Sequence, residues 1–237
     1  MKRQPLYRAG LLTISHPLMF NHDLIELPKL VRIDGDIRTY LTPTGEKYPS
    51  VTTVLSKTKD QSHLHAWRKR VGVDEADKIT RRAGRRGTAT HLLCEKLVLN
   101  EPIDLTKEMP LSVHLFKQLE TFLIQNVNSI RVSEGSLFSH KLKVAGSVDL
   151  VASYRNHAAI IDFKTSTKYK RVDWIEDYFM QAAMYSFMLW EMTKMYHPKL
   201  VIAIAVEEEN DAQIFEEDVN HWIDKAKDRC KRYHLTT

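Results

Sequence analysis

The stretch Gly146-Ser-Val-Asp149-Leu-Val-Ala-Ser-Tyr-Arg-Asn-His-Ala-Ala-Ile-Ile-Asp162-Phe-Lys164-Thr-Ser166 decides the fold. On either side of Arg155-Asn156 it reads as a strand, so the segment predicts two strands joined by a tight turn. Asp149 and Asp162 stand inside these apolar runs, where an uncompensated carboxylate is costly. A two-residue turn at Arg155-Asn156 places Asp149 directly across from Asp162, with Cβ atoms about 5 Å apart. Lys164 points to the same side as Asp162. An odd-length turn would shift the register by one and destroy the arrangement. Two carboxylates are natural oxygen ligands for Mg²⁺ or Mn²⁺. With a lysine beside them they suit phosphodiester hydrolysis, the cation polarising the phosphate and the lysine orienting water or stabilising charge. An Asp-x-Lys triplet alone reads equally well as an ordinary pair on a sheet face. The apolar flanks and the matching second aspartate set this one apart.

The neighbouring elements extend the pattern. Residues 131–140, 143–154 and 158–165 read as three successive strands. Upstream, apolar spacing predicts helices near 62–71, 75–99 and 111–127, with Pro102 and Pro110 breaking the last connection. Downstream come a buried helix over 173–195, a strand from Leu200 to Val206 and a short edge strand from Gln213 to Glu216. A terminal amphipathic helix over 218–233 follows, with Val219, Trp222, Ile223, Ala226 and Cys230 on one face. Nearer the start, Leu30–Ile33 and Ile37–Tyr40 flank Asp34-Gly35-Asp36 as a hairpin. Ser50 or Thr52 caps a short helix through Lys57. The predicted class is α/β, a mixed central β-sheet with helices on both faces. An irregular segment and β-hairpin appendage occupy 1–47, and one compact domain occupies 48–237.

Composition narrows the function classes. The 237 residues are 43% hydrophobic and 27% charged, enough apolar material for a sizeable core. The longest apolar run has seven residues, Leu200 to Val206, whereas a spanning helix needs about 20. No membrane partner is expected. Two cysteines, Cys94 and Cys230, can build neither a disulfide framework nor a four-cysteine iron–sulfur cluster. A reducing intracellular compartment is expected, with mitochondrial import the less favoured alternative suggested by Lys2, Arg3 and Arg8. The net charge is +5. Arg68 to Arg86 holds eight basic and three acidic residues, so that segment accounts for all of it. Such a stretch suits a polyanion, although a solvated helix face gives the same composition.

Four blocks together resemble the RecB-like branch of the PD-(D/E)XK nuclease superfamily. They are Gly87-Thr-Ala-Thr-His91, Ser133-Glu134, the quoted hairpin, and Gln181-Ala-Ala-Met-Tyr185. Tyr48-Pro49-Ser50-Val51-Thr52 is similar to a block of the mitochondrial genome maintenance exonuclease and related phage exonucleases. The resemblance implies the PD-(D/E)XK fold, and implies that His91, Asp149, Asp162 and the Phe163 carbonyl bind a divalent metal. It makes Lys164 the catalytic lysine, with Gln181 and Tyr185 lining the site. Glu134 reads either as a supporting or second-metal group or as an exposed strand residue. Ser50, Thr52, Thr165 and Ser166 are candidate phosphate contacts, and Arg81 and Arg85 could track a strand backbone. Trp67 and Trp174 could stack on bases, with buried packing the favoured expectation for each.

These readings converge on a Mg²⁺- or Mn²⁺-dependent deoxyribonuclease. The resemblance points to an exonuclease on single-stranded or end-containing DNA, with a replication or recombination partner conceivable. A structure-specific or restriction-type endonuclease is the alternative. A non-catalytic DNA-binding protein on the same fold is disfavoured because every motif residue is present. No G-x-x-x-x-G-K-[ST] loop occurs, so this stretch carries no helicase motor of that type.

Overall fold

The structure, a computed structural model, describes residues 13–14 and 19–236. The basic stretch with Lys2, Arg3 and Arg8 lies outside the described residues. Strand β1 (Thr13–Ile14) pairs with β5 (Ile103–Asp104). Strands β2 (Val31–Ile33), β3 (Thr39–Leu41) and β4 (Lys47–Pro49) form an antiparallel three-stranded sheet. The expected hairpin therefore gains a third strand, and its second strand starts two residues later than expected. Helix α1 (Val51–Thr58) follows, and the Ser50 side chain accepts from the Thr53 N–H as its N-cap.

Helices α2 (Ser62–Val71), α3 (Val73–Val98) and α4 (Pro110–Asn126) come next, with Pro110 in the first turn of α4. Strands β6 (Val127–Ser139), β7 (Val144–Tyr154) and β8 (His157–Ser166) form the meander. Helix α5 (Glu176–Thr193), strands β9 (Lys199–Val206) and β10 (Gln213–Asp218), and helix α6 (Val219–Thr236) complete the chain. The central sheet runs β10-β9-β8-β7-β6. Only β8 and β9 pair in parallel, joined by the crossover through α5.

Both faces of this sheet are covered. Alternation along β9 divides its residues between two cores: Leu200, Ile202, Ile204 and Val206 face α1, α5 and α6, while Val201, Ala203 and Ala205 face α3 and α4. Phe179, Met184, Met188 and Trp222 fill the first core, and Leu93, Leu115, Phe116 and Leu119 the second.

The β7–β8 turn is the two-residue turn expected, with Arg155 and Asn156 both at positive φ, 45° and 67°. Arginine is an unfavourable choice there. Its backbone N–H is held by the Asn126 carbonyl at 2.9 Å, and its side chain by Asn126 Oδ1 at 2.8 Å and Glu216 at 3.0 Å. The ladder then runs in the expected register from Tyr154↔His157 to Leu150↔Ile161 and ends there. Asp149 and Asp162 are not a ladder pair. The reason lies in β7, where Leu150, Ala152 and Tyr154 enter the α3–α4 core, whereas Val144 and Val148 enter the other. The alternation changes phase at Asp149. Strand β6 changes phase too: Ile130 faces the α3–α4 core, and Val132 and Leu137 the other. Between the last two stands Glu134, at φ 48°, a left-handed conformation that non-glycine residues adopt at a cost.

Candidate active site

The phase change brings together residues from three elements. Strand β7 supplies Asp149, β6 supplies Glu134, and the C-terminal half of α3 supplies His91. On the β6–β7 ladder the pairs Ser133↔Leu150 and Gly135↔Val148 bracket Glu134 and Asp149. The carboxylate opposite Asp149 is thus Glu134 on the preceding strand. His91 Nδ1 lies 3.6 Å from Asp149 Oδ2 and 3.8 Å from Glu134 Oε1. Burial opposes the charge of His91, but Asp149 and Glu134 outweigh it and carry its pKa up to about 10. Burial likewise works against an ionised Asp149, yet His91, Lys164 and the Phe163 N–H hold its pKa below the usual value. That N–H donates to Asp149 Oδ2 at 2.7 Å, filling the place of the missing ladder bonds. The Phe163 ring meets the His91 ring edge-on at 5.9 Å. Phe163, whose carbonyl is an expected ligand atom, also supports the cluster through its amide and its ring.

Asp162 and Lys164 form a second group. Asp162 is fully buried and ion-paired with the Lys164 amine; its oxygens otherwise have no hydrogen-bond partner. Its carboxyl pKa stands at about 6: burial drives the rise, Lys164 opposes it, and Asp149 adds to it. Burial disfavours the Lys164 cation, but Asp162 and Asp149 outweigh it and keep the amine charged.

Ligand atoms of His91, Glu134 and Asp149 all lie within 4.8 Å of one another. Bonds of about 2.0–2.2 Å require ligand atoms within about 4.4 Å, so a small contraction would seat one Mg²⁺ or Mn²⁺. The two carboxylates suit such an ion, the imidazole is a donor that Mn²⁺ accepts more readily than Mg²⁺, and the Asp162 carboxylate, held only by Lys164, adds acceptor capacity nearby. The grouping differs from the expected one. Glu134 stands inside the cluster, whereas Asp162 is held by Lys164 one position beyond the end of the ladder. A cavity of about 460 Å³ opens on the His91 and Glu134 side of the cluster, lined by Gly87, Thr88, His91, Leu92, Glu95 and Glu134.

Helix α5 closes the other side. Gln181 Nε2 donates to the Tyr185 hydroxyl at 3.1 Å, so the two share one face as expected. Tyr185 lies against Gly146, where an added Cβ would stand 3.0 Å from its ring. That close approach explains the glycine. The Lys164 amine also lies over the ring of a residue not singled out from the sequence, Tyr178, at 5.1 Å from its centroid. The signal was present: Tyr178 precedes Gln181 by three residues and Tyr185 by seven, the spacing of one helix face.

Residues 118–236 match the family model of the PD-(D/E)XK nuclease superfamily. The chain belongs to this superfamily. The matched span holds Glu134, Asp149, Asp162, Lys164, Gln181 and Tyr185; His91 and the basic stretch lie before it. No curated protein matches the chain. Membership in the PD-(D/E)XK superfamily implies a nuclease acting on DNA, with Mg²⁺ or Mn²⁺ as the general cofactor of the family.

The remaining candidates are scattered. Ser50 is buried, its hydroxyl engaged by the α1 cap and by Thr53, so it presents no surface to a phosphate. Thr52 is exposed next to it. Ser166 Oγ donates to the Lys168 carbonyl at 2.6 Å and is spent on a local turn. Thr165 is half-buried, with Oγ1 3.7 Å from where a Gly87 Cβ would stand, so α3 passes close to the end of β8. Arg81 and Arg85 are exposed, whereas Arg86 is nearly buried against Glu207. Trp67 is half-buried; Trp174, expected to pack inside, is exposed.

Proposed function

We propose that this chain is a divalent-metal-dependent DNA exonuclease of the RecB-like branch, acting on single-stranded or end-containing DNA. One observation carries the reading beyond the superfamily: His91, outside the matched span, meets Asp149 and Glu134 at the end of the ladder that leads to Asp162 and Lys164. His91, Glu134 and Asp149 would hold the cation, with Asp162 beside them. The cation would supply Lewis-acid polarisation of a phosphate oxygen. Lys164, held charged by Asp162 and Asp149, would donate to the phosphate as negative charge grows in the transition state. Asp162 keeps that amine aimed at the cluster. Tyr178 limits where it swings, and the Gln181–Tyr185 pair backs the site from α5. The cavity along α3 gives the strand an approach past Gly87 and Thr88, where a bulkier helix face would block it.

The test is cleavage of an end-labelled linear strand beside a closed single-stranded circle, with Mg²⁺, with Mn²⁺ and with chelator. Metal-dependent loss of the linear strand with the circle intact is expected. Cutting of the circle would replace the exonuclease with an endonuclease. No cleavage with either metal would remove the catalytic reading.

A further inference from the structure

The segment between β8 and α5 leaves the site two residues after Lys164. Among the tryptophans, Trp222 is buried against Phe179, Trp67 is half-buried, and Trp190 is half-buried beneath Lys141 and Lys194. Trp174 alone is open, 58% exposed. Loose structure does not explain this. The next residue, Ile175, is 1% exposed and sits in the core. Trp174 closes a 3-10 turn, Val172–Trp174, with its N–H on the Arg171 carbonyl at 3.0 Å. Earlier in the segment the Gln213 carboxamide clamps both backbone groups of Lys170, at 2.7 and 3.0 Å. A held segment thus presents an indole outward. Arg171 lies over that ring at 5.7 Å, and Lys168 and Lys170 precede it. Four residues on, one turn into α5, Tyr178 stands at the Lys164 amine. Trp174 thus stands four residues before Tyr178, on the segment that joins the strand of Lys164 to the helix of Tyr178.

We propose that Trp174 is a stacking platform for the bases of a single strand leaving or entering the Lys164 site, with Tyr178 as the inner step of the same track. The proposal rests on the nuclease reading and deepens it. An aromatic face accepts any unpaired base and offers nothing to a base inside a duplex stack, so it would favour single strands without reading sequence. Arg171 lies against the same ring with its charge shared with Asp173, and Asp177 is engaged by Lys59 and Arg229.

The experiment is equilibrium binding, in chelator so that nothing is cut, of a labelled 20-nucleotide thymidine strand and an abasic strand of equal length and charge. The full chain should bind the thymidine strand roughly tenfold more tightly. Trp174→Ala should lose that preference while binding the abasic strand as before, and Trp174→Phe should keep most of it. An unchanged preference in Trp174→Ala, or no preference in the unsubstituted protein, would overturn the proposal. Cleavage of the thymidine strand with Mn²⁺ is measured in parallel. Lost cleavage with intact base preference would sink the nuclease reading alone; intact cleavage with no effect of Trp174→Ala would sink the platform alone.

Discussion

Strands β9 and β7 are both apolar and both buried, yet they do different work. In β9 every second residue faces the same core from Leu200 to Val206. In β7 the alternation slips at Asp149, opposite a left-handed Glu134. The regular strand stabilises the fold. The irregular one turns a carboxylate out of its ladder, where a histidine, a second acid and a backbone N–H meet it. Backbone irregularity of this kind costs on the order of 1–3 kcal/mol and persists only where surrounding structure holds it.

Substitutions should separate the two halves. The largest effects belong to the irregular one. Lys164→Ala and Asp149→Asn should each lower cleavage by about a thousandfold or more in the protein that remains folded, beyond the stability of about 3–5 kcal/mol that breaking a buried ion pair costs. Activity within tenfold of the unsubstituted protein in either would dissolve the proposed site. Mn²⁺ binding by calorimetry should weaken in Asp149→Asn and survive in Lys164→Ala.

The regular half should respond in the opposite way. Ile202→Ala opens a cavity in the α5 core and should cost about 3 kcal/mol in urea unfolding, with the remaining folded protein still cleaving. A loss of turnover without a loss of stability would show that β9 takes part in the chemistry. Between the extremes lies Gly146→Ala. Its methyl would push Tyr185 by a few tenths of an ångström, so a loss of about 1–2 kcal/mol and a several-fold drop in cleavage are expected. No change in either would mean that Tyr185 yields freely.

Smaller effects sharpen the same contrast. The pKa of His91 in the metal-free fold, about 10, lies above its ordinary 6.5. The stabilisation from its charge is therefore complete below about 6.5 and disappears as pH rises through about 10. Measured in chelator, the stability difference between the unsubstituted protein and His91→Gln should shrink across that window; a constant difference would mean that the acids do not hold the imidazolium. The smallest change is expected from Arg85→Ala, which should weaken DNA binding at low salt and flatten the salt slope by about one. An unchanged slope would return that exposed arginine to an ordinary solvated surface.

Much of this was legible beforehand because it is local. The β7–β8 turn follows from two apolar runs separated by two polar residues. The Ser50 cap follows from a hydroxyl ahead of a short helical run, and the cap then claims the hydroxyl that a phosphate contact would have needed. Gln181 and Tyr185 share a face because 3.6 residues make a turn. The Asp149–Asp162 pairing failed because strict alternation was extended one residue too far. The slip that ends it is balanced across β6, a strand whose ladder with β7 lies outside the quoted hairpin. Trp174 departs from the expected packing because hydropathy counts an indole as core, whatever the backbone does with it.

The sequence by itself therefore determined the α/β class, the order of elements, the turn register and the identity of the chemical groups, since each depends on periodicity or on neighbours a few residues apart. Only the tertiary structure decided that Glu134 faces Asp149, that Lys164 lies between Asp162 and Tyr178, and that Trp174 looks outward. Those choices depend on how α3 and α5 press on opposite faces of one sheet, a contact between segments far apart in the chain that no local pattern encodes.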